Sequence, residues 1–347
     1  MDPDSVPGVD RVPHGGADDP SLLDFSANTN PERPDGVAAV YDDALDAAGR
    51  YPDDDYPAFR AAAAAYVDCP SHQVVPTAGG LQAIRLALGV AVVPGDTALL
   101  PAPSFGEYAR EVRLQGGEPT FVPHDAVLDA DPAGHAVAVV CHPNNPTGTG
   151  YGDDALRAFA DRCRESGTPL LVDEAFLDFT DRPSLAGTPG VVVARSLTKV
   201  FGLPGLRVGF AVATGGLRDR LETARPAWGL STPAAAVGAH CLDCRSFVER
   251  IRERVRTERE RMRAALDGPF DVRPSVANFL LLDVGDRSVD ALRRRARERG
   301  VVVRDATTFR DLDSHVRVAV RRPDENDRLL AALDADADAG GIGDHDP

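Results

Sequence analysis

From about Val74 to Gly215 the sequence alternates between short apolar runs and longer segments of helical composition. The runs Thr97–Leu100, Ala136–Val140, Leu170–Val172 and Val191–Ala194 have the length of strands, and Leu81–Val92 and Asp153–Ser166 have the length of helices. Alternation of this kind predicts an α/β fold, a mostly parallel sheet with helices packed on its faces. Ligands of such sheets collect at the carboxyl ends of the strands, so the residues that follow each run carry the functional information.

The rest of the chain frames this unit. Residues 1–20 are rich in Pro, Gly and Asp and read as an arm. Residues 245–265 alternate Arg and Glu around apolar Phe247, Val248, Ile251, Val255 and Met262, which predicts a long helix with a charged outer face. Beyond it, Phe279–Val284, Val301–Val303 and Val316–Val320 read as strands, and Val289–Arg299 and Asn326–Leu333 as helices, of a second, smaller domain. The stretch 334–347 is rich in Asp and Gly, and disorder is expected there.

Composition narrows the class. The formal net charge is −16, and the 54 acidic residues are 41 Asp and 13 Glu, which suits a solvated surface in high salt or reflects compositional bias. Either way the balance argues against a nucleic-acid partner. No apolar run approaches a membrane span and the N-terminus has no signal-peptide pattern, so a soluble, cytoplasmic protein with no membrane partner is expected. Five cysteines, an odd number, fit a reducing compartment. Cys241 and Cys244 form a lone C-x-x-C with no second pair, which reads as a helix edge, and the histidines show no metal-ligand spacing.

Of the 38 basic residues, 37 are Arg; the one lysine is Lys199, in an apolar, Gly/Pro-punctuated segment. Arginine serves salt bridges and phosphates well, but it cannot form a Schiff base, which needs an amine able to lose its proton. Lys199 is therefore the candidate for covalent chemistry rather than a surface residue spared by drift. Asp173, where the run Leu170–Val172 ends, could hold a pyridinium nitrogen protonated, or simply cap the next element. His142-Pro143-Asn144-Asn145-Pro146-Thr147-Gly148 follows the run Ala136–Val140 as a rigid turn, from which an Asn can donate to a phenolic oxygen. Thr77-Ala78-Gly79-Gly80-Leu81-Gln82 precedes a helix, where small residues let backbone N–H groups approach a phosphate. Ser196 and Arg207 flank Lys199 and could complete that phosphate cup.

Asn-Pro-Thr-Gly, then Asp-Glu-Ala-Phe, Ser-x-x-Lys and Gly-Leu-Arg-x-Gly, in this order, resemble the fold-type-I pyridoxal 5′-phosphate (PLP) enzymes of the aspartate aminotransferase superfamily. His14-Gly15-Gly16, the string Leu22–Pro31, Arg50-Tyr51-Pro52-Asp53-x-Asp55-Tyr56, Arg195–Lys199, and the C-terminal Arg317–Arg321 and Asn326–Leu333 resemble more narrowly the L-threonine O-3-phosphate decarboxylases of cobalamin synthesis. The resemblance runs from about His14 to Leu333. Histidinol-phosphate aminotransferases share much of the middle, and an aminotransferase is the rival reading. A PLP-binding regulatory domain without turnover is a third, opposed by the retained Lys, Asp and Arg set.

The resemblance implies a seven-stranded, mostly parallel large domain at 36–240, a small α/β domain at 241–333 and an N-terminal arm, 1–35, that joins the small domain. It implies PLP as cofactor, decarboxylation of the phosphorylated amino acid to (R)-1-aminopropan-2-yl phosphate and CO2, and a homodimer with shared active sites. Lys199 would bond the cofactor covalently, Asp173 pair with the ring nitrogen, Asn145 bond the ring oxygen and Phe105 stack on the ring. Gly79, Gly80, Leu81, Ser196 and Arg207 would hold its phosphate, with Tyr51 reaching in from a partner subunit. His14, Asn28, Asn145, Arg304 and Arg317 would surround the substrate's carboxylate and phosphate. The bland alternatives are core packing for Phe105, surface packing for Tyr51, a mobile arm for His14, a turn for Asn28 and solvated strands for the two arginines. Three positions depart from the family pattern: Phe176 stands for a common Tyr, Gly80-Leu81-Gln82 for a more polar run, and Ser231 after Trp228 for Asn.

Overall fold

The computed structural model describes residues 1–334 of the 347-residue chain. In chain order the elements are β1 (Leu23–Asp24), α1 (Val37–Leu45), α2 (Pro57–Val67), β2 (Val74–Thr77), α3 (Gly80–Ala91), β3 (Thr97–Ala102), α4 (Glu107–Leu114), β4 (Glu118–Pro123), β5 (Val137–Cys141), α5 (Asp153–Ser166), β6 (Leu170–Asp173), β7 (Val191–Ser196) and β8 (Gly209–Val212). After them come α6 (Gly215–Ala224), α7 (Thr232–Asp243), α8 (Arg245–Leu266), β9 (Asp271–Val272), β10 (Phe279–Asp283), α9 (Val289–Glu298), β11 (Val301–Val302), β12 (Arg304–Asp305), β13 (His315–Ala319) and α10 (Pro323–Asp334). The tail expected to be disordered, 334–347, lies outside the described residues apart from Asp334, which ends α10.

β2 to β8 form one seven-stranded sheet in the order β2-β8-β7-β6-β5-β3-β4. The pairs from β7 to β4 are parallel, and β8 runs antiparallel to both its neighbours. The strands are buried on both faces, which is why the sequence reads as continuous apolar runs rather than alternation. Period two still sorts the side chains. Val139, Leu171 and Val192 join Ala83, Ile84 and Tyr108 of α3 and α4 in one core, while Val140, Val172 and Val193 pack in the other with Phe159, Phe210 and Ile251.

Three strands of this sheet, β2, β4 and β8, gave no clear signal. β2 contains Pro76, and β4 contains Pro119 and Pro123. Proline demotes a run as a strand candidate, yet both are edge strands, the places where a missing N–H costs no ladder bond. The observed helices fall close to their expected spans. α5 starts on two acidic residues, Asp153 and Asp154, which suit the positive end of the helix, and it stops at Gly167 in the left-handed conformation (φ 76°). Ser231 caps α7, its hydroxyl accepting from the Ala234 N–H.

A second sheet, β12-β13-β10-β9, is antiparallel and packs with α8 and α9, and α10 packs in turn on α8, α9 and β11. β1 pairs in parallel with β11, so the segment before α1 lies against this smaller unit. The first residues go the other way, onto the large sheet's side: Asp2 N–H donates to Leu114 O, and Arg110 of α4 donates to Asp10 O at 3.2 Å. The N-terminal arm thereby spans both units.

Candidate active site

The chain leaves β3 through α4 toward β4 and leaves β5 through α5 toward β6, in opposite directions along the sheet. The carboxyl ends of β3 and β5 therefore diverge into a crevice, the standard ligand position of an open α/β sheet. A cavity of about 350 Å³ lies there. Its walls include His14, Asn28, Gly80, Leu81, Phe105, Asn145, Asp173, Ser196, Lys199, Arg207, Arg304 and Arg317. Twelve of the fourteen residues expected at the site are thus gathered from positions up to 303 apart in sequence. Gly79 and Tyr51 do not line it.

Asp173 and Ser196 fall on the α3/α4 face of their strands and line the cavity. The residues next to them point the other way. Glu174 and Arg195 form a buried ion pair at 3.0 Å on the opposite face, Arg195 also binds Asp178, and Tyr66 donates to Asp178 at 2.8 Å. This network ties the ends of β6 and β7 together directly beneath the site.

The Asp173 carboxylate is buried and receives one donor on each oxygen. Tyr108 Oη donates to Oδ2 at 2.6 Å, and the Ala175 N–H donates to Oδ1 at 3.0 Å. Burial raises its pKa from the usual carboxylate value, while Tyr108, Ala175 and the charges of Lys199 and Arg195 work against that rise. Lys199 leaves β7 on a tight turn held from outside: its carbonyl accepts from Asn30 N–H at 2.9 Å, and Asn30 Nδ2 donates to Val200 O at 2.7 Å. Gly202 makes this docking possible, since a Cβ there would lie 2.3 Å from Glu32 O. The ammonium stands 5.6 Å from the Phe176 ring centroid. Burial, with Arg317 and Arg207 nearby, brings the Lys199 pKa down to about 8, so a neutral amine is accessible near neutrality.

The rigid turn after β5 divides its two asparagines. Asn144 knits the turn: Ser104 Oγ donates to its Oδ1 at 2.9 Å, and its Nδ2 donates to Pro103 O at 3.0 Å and Thr147 Oγ1 at 2.9 Å. Asn145 faces the cavity and accepts from Arg317 Nη1. Phe105 sits across from it and meets Tyr108 edge-to-face at 5.6 Å.

The amino end of α3 opens into the same cavity. Its cap residue, Gly79 (φ 88°), brings no capping side chain, and Gly80 and Leu81 line the wall. A Cβ on Gly79 would come within 2.8 Å of Arg207 Nη2, and one on Gly80 within 3.0 Å of the Ser196 Cβ. Bare backbone at a helix N-terminus, with a serine and an arginine beside it, has the donor chemistry of a phosphate cradle. The residues present therefore fit a phosphorylated pyridine aldehyde: an amine, a buried carboxylate, an aromatic face and an anion cup in one cavity.

At the far wall, Arg317 and Arg304 come from the paired strands β13 and β12. Arg317 donates to Ser26 O at 3.0 Å, and Arg304 donates to Pro13 O and to Thr308 Oγ1 at 2.8 Å. Among the described residues the hydrogen bonds of both guanidinium groups go to neutral acceptors. Burial, and then Arg304, bring the Arg317 pKa down to about 9; burial lowers that of Arg304 as well. Asn28 is buried beside them with neither side-chain amide atom hydrogen-bonded, though both need partners. His14 Nε2 meets Glu107 Oε1 at 3.0 Å. Burial pushes Glu107 up, but this contact and Arg110 outweigh it and hold the carboxyl below its usual range.

Tyr51 lies elsewhere, 80% exposed, against the half-exposed Trp228 with ring centroids 4.6 Å apart. The sequence reading missed Tyr108, Thr198, Thr308 and Phe309. Thr198 bonds Ser196 Oγ at 2.7 Å and, like Thr308 and Phe309, lines the cavity. Tyr108 had one available signal, its place one helical turn after Phe105.

The profile of aminotransferase class I and II matches residues 20–333. The threonine-phosphate decarboxylase of Salmonella typhimurium is 34% identical over 332 residues, covering 90% of each chain. The histidinol-phosphate aminotransferase of Symbiobacterium thermophilum is 33% identical over 332 residues, again covering 90% of each. Among solved structures, L-threonine-O-3-phosphate decarboxylase from Porphyromonas gingivalis superposes with a TM-score of 0.83 at 24% identity, covering 91% of this chain and all of that one.

Proposed function

The chain belongs to the aminotransferase class I and II family and uses pyridoxal 5′-phosphate, and we propose that within this family it decarboxylates L-threonine O-3-phosphate to (R)-1-aminopropan-2-yl phosphate and CO2. The observation that carries the reading is the pair of arginines on the far wall, Arg304 and Arg317, beside the unsatisfied amide of Asn28. Buried guanidinium groups hydrogen-bonded to neutral acceptors are costly unless an anion joins them. Two such groups, side by side on one wall around the Phe309 ring, suit a small substrate with two anionic groups. The amino acid phosphate carries a carboxylate and a phosphate on one molecule; histidinol phosphate has only the phosphate, and the rival would use the second arginine for the carboxylates of its 2-oxo acid partner.

In this reading Lys199 bonds the cofactor, Asp173 pairs with the ring nitrogen, Asn145 with the ring oxygen, and Phe105 covers one ring face. The amino end of α3, with Ser196 and Arg207, holds the cofactor phosphate. PLP, when bound, supplies a ring that accepts the electron pair left at Cα. The remaining work is done by the chain. Arg317, at the Lys199 end, orients the substrate carboxylate with Asn28. Arg304 and His14, at the arm end, hold the substrate phosphate, with Glu107 fixing the orientation of the His14 ring. The arm residues Val12 to Gly15 form part of the cavity wall, where they would limit the access of water to a bound substrate. The Lys199 amine, with its pKa near 8, accepts and returns protons close to the operating pH.

The same reading includes a homodimer. Tyr51, Trp228, Leu45 and Tyr41 leave large apolar surfaces exposed on one chain, which a second copy would cover while bringing Tyr51 to its partner's cofactor phosphate. The rival activity, transamination of histidinol phosphate, draws support from the near-equal identity of the second relative. One assay separates them. The PLP-loaded protein is given O-phospho-L-threonine, and CO2 and 2-oxo acid are both measured. CO2 without 2-oxo acid supports the decarboxylase; transamination of histidinol phosphate with 2-oxoglutarate, and no CO2 from O-phospho-L-threonine, refutes it.

A further inference from the structure

Tyr108 is among the largest fully buried side chains of the protein, and its hydroxyl points at a buried carboxylate. Packing alone does not ask for that hydroxyl. Its ring already meets Phe105 edge-to-face at 5.6 Å, and Ile84, Leu100 and Val112 share the same core. A phenylalanine would fill the slot without removing a phenol from water. What the hydroxyl adds is a short hydrogen bond to Asp173 Oδ2, the counterpart of the Ala175 N–H on Oδ1, beside a contact with the buried Cys141 thiol.

We propose that Tyr108 is a positioning residue that acts through Asp173, holding it as a carboxylate so that the proton shared with the PLP ring stays on the ring nitrogen. The inference rests on the placement of Asp173 at that nitrogen. The proton between them has two homes. Either the N–H bond is intact and Asp173 is charged, or the N–H bond is broken, the O–H bond is formed and the pair is neutral. In a site stripped of water the neutral pair gains ground, because charge is costly there. A donor on the carboxylate stabilises its charge and weakens it as a base, and both effects return the proton to nitrogen. Burial raises the Asp173 pKa, which is the tendency Tyr108 opposes. The phenol itself keeps its proton, since burial and then the Asp173 charge raise its pKa far above the usual value.

The position on α4 adds a second consequence. Phe105, just before the helix, and Tyr108 lie one turn apart, so the residue covering the ring and the residue tuning its counter-ion move together. α4 is pinned by the arm through Arg110 with Asp10 O and Glu107 with His14.

The test reads the proton directly. Holoenzyme is loaded with PLP labelled with ¹⁵N in the ring, and the nitrogen resonance is compared among wild type, Tyr108→Phe, Asp173→Asn and protein carrying 3,5-difluorotyrosine at 108. The Tyr108→Phe resonance is expected to move toward the neutral pyridine position, with kcat down about 10- to 100-fold and KM within about threefold. The more acidic fluorinated phenol is a stronger donor and is expected to move the resonance the opposite way or leave it fully pyridinium. If Tyr108→Phe binds PLP and its resonance stays at the wild-type position, the role of Tyr108 is overturned. If Tyr108→Phe does not fold, a shift of the fluorinated protein toward neutral pyridine overturns it instead. If Asp173→Asn also keeps the wild-type resonance, the placement of Asp173 at the ring nitrogen falls, and the inference with it.

Discussion

Arg304 and Arg317 stand opposite each other in the β12–β13 ladder, and both guanidinium groups lie near the ring of Phe309, at 5.6 and 5.7 Å from its centroid. Two like charges side by side on neighbouring strands repel. The aromatic ring eases that repulsion through cation–π attraction, and Phe279 does the same for Arg317 from 5.2 Å. The arrangement holds the pair ready for anions at a cost in stability, which an anion bound between them would offset.

Truncation of either clamp leaves a desolvated anion unpaired. Arg304→Ala should lower kcat/KM for O-phospho-L-threonine by about 2–5 kcal/mol equivalent, with the absorption spectrum of bound PLP unchanged, because Arg304 lies at the arm end. Arg317→Ala should cost a similar amount and also alter the spectrum's pH dependence, since Arg317 bonds Asn145 and its charge lowers the Lys199 pKa. Steady-state rates and a spectroscopic pH titration check both. An Arg304→Ala enzyme with wild-type kcat/KM would remove Arg304 from the substrate site.

Much of this site was legible because it depends on residue types that few other jobs require. A single lysine, an Asp ending a buried run and a Gly-Gly before a helix each have a chemical reason that survives without coordinates. What escaped was of two kinds. The edge strands β2 and β4 escaped because their prolines break the strand pattern, and only the finished sheet shows that, among the described residues, no strand pairs on their free side. Tyr108 and Phe309 escaped because an aromatic on a helix or loop reads as core until its neighbour is known. The 65-residue separation of Tyr108 from Asp173 carries no periodicity to read. The division between Asn144, which knits the turn, and Asn145, which faces the cavity, is likewise set by three-dimensional partners.

Lys199 should make the cofactor-free protein less stable at neutral pH than at alkaline pH. Its folded pKa, about 8, lies below the unfolded value near 10.5. Below pH 8 it is charged in both states and the full penalty of burying the charge applies. Between pH 8 and 10.5 the unfolded chain still binds the proton that the native chain has released, so stability rises with pH. Lys199→Met should therefore stabilise the apoprotein at pH 7 by about 1–2 kcal/mol, less than the full shift implies because water enters the open cavity. The advantage should shrink toward pH 10.5. Urea midpoints of the two proteins across this range measure it, and a constant difference would show that the Lys199 ammonium is not destabilised by the fold.

The composition allows an unusually clean test of the covalent attachment. With one lysine in the chain, borohydride reduction of the PLP-loaded protein should place pyridoxyl on a single internal peptide, the one containing Lys199. Lys199→Ala should keep the fold, as no large apolar group is lost, and abolish turnover while PLP still binds noncovalently through its phosphate. Peptide mass mapping decides the first point. Label recovered only at the N-terminal amine would refute the assignment.

Tyr51 makes the dimer testable through activity rather than mass alone. On one chain its ring is 80% exposed and stacks on Trp228, which itself has a positive φ of 53°, an uncommon conformation for a bulky residue. An exposed aromatic pair held this way is costly in water and suits an interface. If Tyr51 completes the partner's cofactor cup, a Tyr51→Ala chain has a defective effect only on its neighbour's site. A Lys199→Ala chain is defective only in its own. In a mixed dimer the Tyr51→Ala chain keeps its lysine and receives an intact Tyr51, so one site of the two is complete. Mixing the two inactive proteins should restore up to about a quarter of wild-type activity, since random exchange makes half the dimers mixed and each has one working site. Activity that stays at background after subunit exchange is verified by native mass spectrometry would place Tyr51 outside the partner's site.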